Sequence, residues 1–164
     1  GRSIEVGTLL DFHAQLGREG IMPHYDPWRS TTNDVVRQAV IPLSRTLRGG
    51  SAYVSLASCK NAPTAQCMVT HTWSNLFVDL VAAVVADAVG MEDYVAVADM
   101  LAAREHDMLQ SDLQAGGMLH KSYWICAFCI NQHASICGGF AHEPTPGTAE
   151  HEKWDACRRD SVTG

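Results

Sequence analysis

A chain of 164 residues supports one domain with a single sizeable core, since domains cluster around roughly 100–150 residues, and it leaves no room for a second. With 18 acidic residues against 12 basic ones the formal net charge is -6, so nothing electrostatic favours a nucleic-acid partner. Hydrophobic content of 46% and charged content of 18% describe a folded chain rather than a disordered one.

The most apolar stretch, LFVDLVAAVVADAV, is interrupted by Asp79 and Asp87 and falls short of the roughly 18 residues that cross a bilayer. No membrane partner is therefore expected. The chain opens on Gly1 without a basic-then-apolar leader, which reads as a processed or excised piece. Six cysteines, at 59, 67, 126, 129, 137 and 157, are too thinly spread for a disulfide scaffold and read as reduced thiols. A cytoplasmic setting follows from that reading.

In chain order, SIEVGTLLDFHAQLG reads as a short amphipathic helix and IMPHYDPWRSTT as a proline-punctuated loop. Thr32 is an N-cap candidate for a helix carrying Val35, Val36, Ala39, Val40 and Leu43, which Pro42 should kink or end before Gly49-Gly50 turns the chain. SAYVSLASC, 51–59, reads as a strand, and CMVTH, 67–71, as a second, buried one. A helix follows from about Asn75 to Val89, with Ser74 as N-cap and Gly90 beyond its end. Residues 92–115 read as a helical stretch broken near Arg104–His106 and closed by Gly116-Gly117. YWICAFCI, 123–130, reads as a third, fully apolar strand, and after Cys137 the composition turns to Gly, Pro, Glu and His. Residues 1–50 are thus an N-terminal helical and loop segment packing on the core, 51–137 the α/β core, and 138–164 a polar loop or tail. Near-continuous apolar strands separated by helices are the pattern of a largely parallel sheet flanked by helices.

On a strand, Cys126 and Cys129, three apart, would point to opposite faces, so their C-x-x-C reads as two core thiols rather than a metal knuckle or a redox dithiol. Cys137, His142, His151 and Cys157 are zinc-ligand types in a polar region, but their spacing matches no standard zinc template, and zinc is not expected.

Ligands of open parallel sheets bind outside the carboxyl ends of the strands. Two such ends carry Thr70-His71-Thr72-Trp73-Ser74 and Asn131-Gln132-His133. If the strands are neighbours, these residues share one rim suited to a planar, phosphorylated ligand. Trp73 would stack, Ser74 would stand at a helix N-terminus, Asn131 and Gln132 would hydrogen-bond, and His71 or His133 would move a proton. Asp79, four residues into the helix, is near enough to serve as a base. The competing reading is that Asn131 and Gln132 cap the following turn and the histidines are simply satisfied.

The stretch Trp124-Ile125-Cys126-Ala127-Phe128-Cys129-Ile130-Asn131-Gln132 resembles the W-I-D-A-L-C-I-N-Q motif of heterokaryon-incompatibility (HET) domains, and Val69-Thr70-His71-Thr72-Trp73 is similar to their earlier L-S-Y-x-W-G element. The resemblance covers about 65 residues, 67–133. The chain is more similar still to a group of uncharacterised protist proteins with S-H-x-W followed by Y-W-x-C-x-F-x-x-N-Q-H. Through the kinship of HET and Toll/interleukin-receptor (TIR) domains, the resemblance implies a flavodoxin-like fold that either binds NAD and cleaves its glycosidic bond or serves as a non-catalytic, self-associating signalling module. Cys126 stands where the family has Asp, and Ser74-Asn75 where it has Gly. Glu92 and Glu105 are the candidates for the glutamate of TIR-type cleavage.

Overall fold

The structure, a computed structural model, describes residues 2–47, 49–56, 64–137, 144–156 and 162. Helix and strand are mixed around a small sheet whose three strands, β1 (Ile4–Glu5), β4 (Cys67–Val69) and β5 (Ser122–Ile125), lie in the order β1-β5-β4. β4 runs parallel to β5, with Val69 opposite Ile125, while β1 runs antiparallel to it. The 67–71 and 123–130 segments are therefore neighbours, and the sheet, expected to be largely parallel, is mixed, with one parallel and one antiparallel pair. A separate two-residue ladder joins β2 (Arg45–Thr46) to β3 (Gly49–Gly50), so the paired glycines, expected to turn the chain, form the second strand of that ladder instead.

β1 leads directly into helix α1 (Val6–Gln15). The first amides of α1 donate to the backbone entering β5, Val6 to the Lys121 carbonyl at 3.0 Å and Gly7 to that of Leu119 at 3.1 Å, which satisfies donors that every helix start leaves open. Helix α2 (Thr32–Val35) begins one residue earlier than expected. Its N-cap is Thr31, in a reciprocal capping box with Asp34. The chain continues as a π-helical turn over Val36–Val40 into α3 (Ile41–Leu43). Pro42 has no N–H to return to the preceding turn, and the widened ring ahead of it absorbs that loss.

Helix α4 (Phe77–Val89) is apolar almost all round and packs against α1, α2, α5 (Val95–Ala102) and α6 (His106–Ala115), as a core helix should. Gly90 closes it in the left-handed region at φ 77°. Its start differs from expectation: Leu76 occupies the N-cap, and Ser74 sits two residues outside. The break between α5 and α6 falls at the expected place, with Arg104 at φ 66°. A last helix, α8 (Ala149–Ala156), lies within the segment read as loop or tail.

Two expected strands are not as read. Residues Tyr53–Ser55 of the 51–59 segment form a 3-10 turn, while 57–59 fall outside the described residues. The 123–130 strand stops at Ile125 and becomes a helical turn, α7 (Cys126–Cys129). The reason is tertiary. Phe128 on that turn meets Phe12 and Tyr53 edge-on, with ring centroids 5.0 and 5.6 Å apart, and Gln132 holds the turn's carbonyls. An apolar run alone does not distinguish a buried strand from a buried helical turn. Among the described residues no helix is long and apolar enough to cross a membrane.

Candidate functional site

Parallel pairing places the carboxyl ends of β4 and β5 on one rim. With Val69 level with Ile125, the next residues outward are Thr70 and His71 on one side and Cys126 on the other. His71 Nε2 and Cys126 Sγ lie 3.8 Å apart, within reach of a thiol-to-imidazole hydrogen bond. His71 Nδ1 is buried without a properly directed hydrogen-bond partner among the described residues. Burial lowers the His71 pKa below its ordinary value, with the Val69 backbone partly opposing by favouring the proton, so the ring is neutral near neutral pH.

The rim loop is fixed to the start of α2. Asn33 donates to the Trp73 carbonyl and Thr32 to that of Asn75, both at 2.9 Å, and Phe77 donates to Ser30 at 3.0 Å. Behind this loop lies a cavity of about 190 Å³ whose wall includes Thr70, His71, Thr72, Asn75, Asp79 and Tyr94. That volume suits one ring or a similar fragment, being below the roughly 300–1,000 Å³ of a whole ligand pocket. His71 and Asp79, paired on paper only by helix position and strand end, thus share a wall.

The remaining expected site residues stand elsewhere. Trp73 is half-buried against the hydrophobic core, and Ser74 is exposed. Gln132 is 2% exposed, and its amide donates to the carbonyls of Cys126 at 2.7 Å and Ala127 at 3.3 Å. Asn131 donates to the Gly50 carbonyl at 3.1 Å, and its side-chain oxygen accepts from the His133 amide at 3.1 Å. His133 Nε2 meets the Ser44 hydroxyl at 3.0 Å, and its ring lies over Gly50 so closely that a Cβ there would overlap it. Asn131, Gln132 and His133 are all engaged with their own chain, Asn131 capping the turn that follows and Gln132 the one that precedes.

Cys126 was read as a core thiol and is instead a half-buried rim residue touching His71. The signal was available: once the two strands pair in parallel and in register, the first residue past β5 must face the loop after β4, and the resembled motif carries Asp at this position. Of the zinc candidates, His142 and Cys157 lie outside the described residues. Among the described ones no group of three or more His, Cys, Asp or Glu side chains is placed to hold a metal.

A second polar cluster lies inside the fold. The His13 ring, fully buried, meets His106 Nε2 through Nδ1 at 2.8 Å and the Tyr25 hydroxyl through Nε2 at 2.9 Å. Burial first, then the charges of His106 and Arg104, lower the His13 pKa to about 3.

Fold and rim together define a mixed α/β protein with a small polar cavity and a thiol–imidazole pair at the carboxyl edge of its parallel strand pair. A comparison with protein-family models, curated proteins and solved structures finds no match to this chain.

Proposed function

We propose that the rim cavity receives one ring of a nucleotide such as NAD, in a signalling module of the HET/TIR type with a flavodoxin-like plan. The observation that supports this reading most is the shared cavity wall of His71 and Asp79 beside a parallel strand pair, the position at which open α/β sheets bind ligands. Thr70, Thr72 and Asn75 supply hydroxyl and amide partners for a ribose or a ring substituent. In glycosidic cleavage, Asp79 would stabilise positive charge developing on the sugar and His71, neutral at rest, would accept the proton of the attacking water.

The test is incubation of concentrated protein with NAD and chromatographic detection of nicotinamide, alongside calorimetric titration. Asp79→Asn is expected to cut turnover at least 100-fold, in the range of a lost acid–base or electrostatic group. Absence of both turnover and binding at millimolar NAD would sink the reading.

The alternative is homotypic assembly without catalysis. It is favoured by β4 lying at an end of the sheet order among the described residues, with Met68 71% exposed on it, because an apolar edge strand invites pairing. Concentration-dependent light scattering checks it: wild type should grow in apparent mass with concentration, and Met68→Lys should not.

A further inference from the structure

We infer that Cys126 and Cys129 form a redox-active dithiol that reduces low-molecular-weight disulfides, with Cys126 as the attacking thiol and Cys129 as the resolving one. On a strand the two thiols would lie on opposite faces, but these residues form the helical turn α7. Both cysteines lie on one helical turn. Residues three apart on a helix are neighbours on its surface, with Cα atoms roughly 5 Å apart from the 1.5 Å rise and 2.3 Å radius, inside the range a disulfide spans. Neither is in a disulfide.

The two sulfurs differ as the roles demand. Cys126 is half-buried with His71 Nε2 at 3.8 Å, while Cys129 is 2% exposed. A small disulfide therefore reaches only the first. Thiolates rather than thiols attack disulfides, and an adjacent base supplies the thiolate. The turn is also held rigidly: Gln132 clamps the Cys126 and Ala127 carbonyls, and Phe128 is locked among Phe12, Tyr53 and Phe77. Gln132 is a positioning residue in this scheme.

His71 Nε2 takes the Cys126 proton, and the thiolate attacks one sulfur of the substrate. A bond forms from Cys126 Sγ to that sulfur as the substrate S–S bond breaks, and the departing thiolate recovers the proton from His71. The Cys129 thiol, losing its proton to the second leaving sulfur, then attacks Cys126 Sγ and closes the internal disulfide. Two electrons pass from the protein dithiol to the substrate, and two small thiols leave. This chemistry stands independently of nucleotide binding.

The experiment treats the reduced chain with oxidised glutathione at neutral pH, alkylates the remaining thiols and maps the peptides by mass spectrometry. Wild type is expected to lose two hydrogens within the peptide holding Cys126 and Cys129. Cys129→Ala should retain one glutathione on Cys126, and His71→Gln should slow that adduct about 100-fold at pH 7, at the low end for a proton-transfer partner, and change its pH profile. Cys129 is buried, so the fold of its variant is checked by circular dichroism, and the wild-type map decides independently of it. A Cys126 that stays reduced while other cysteines oxidise overturns the proposal, as does a folded Cys129→Ala with no adduct on Cys126.

Discussion

Gln132 is nearly fully buried with its amide donating to two carbonyls of α7, so its truncation removes hydrogen bonds from groups that water cannot reach. Gln132→Ala should cost about 1–3 kcal/mol, the penalty of unsatisfied buried polar atoms, read as a lower midpoint in urea unfolding. Gly50 is a related case of scaffold hidden in an unremarkable residue. A methyl at that position would overlap the His133 ring, so Gly50→Ala must displace the imidazole from Ser44. The expected loss is about 1–3 kcal/mol, as in overpacked sites. At this scale the polar residues are legible in the sequence but their partners are not: nothing local to Asn131-Gln132-His133 says whether they face a ligand or the backbone of residues 50, 126 and 127.

At the scale of elements, α1 and α6 meet through the buried pair His13 and His106. Both histidines are held neutral, His13 down to about 3 and His106 below its ordinary value, each chiefly by burial. The unfolded chain binds protons near pH 6.5 where the folded one does not, so this contribution is complete above about 6.5 and is lost as pH falls toward 3. The slope for His13 is up to ~1.4 kcal/mol per pH unit. Unfolding midpoints measured from pH 8 to pH 4 should fall along that course, and His13→Gln should flatten it. Helix starts and stops were mostly legible because caps are local: Thr31 with Asp34, Gly90 and the break at Arg104 all lie within two residues of where the pattern puts them. Strands were less so, since Tyr53–Ser55 and Cys126–Cys129 owe their helical turns to aromatic packing from distant segments.

For the whole molecule, Phe12 is the point at which layers converge. Its ring meets Tyr53, Phe77 and Phe128 edge-on at 5.2, 6.0 and 5.0 Å, tying α1 to the 3-10 turn, to α4 and to α7. Phe12→Ala should cost about 3–5 kcal/mol, a large part of the 5–15 kcal/mol that holds typical domains folded. Thermal denaturation should show a much lower, broader transition. Because α7 carries Cys126, thiol reactivity should change with it even though Phe12 does not touch the rim.

Composition, hydrophobic runs and capping residues by themselves determined a mixed α/β chain and most of its helix boundaries, since each depends on neighbours a few residues away. Which residues share the rim was decided only in three dimensions. The parallel register of β4 and β5 brings Cys126 to His71, and the packing of Phe128 turns the end of an apolar run into a helical turn that sets two cysteines side by side. Register and packing join positions more than 50 residues apart, and no local pattern encodes that pairing.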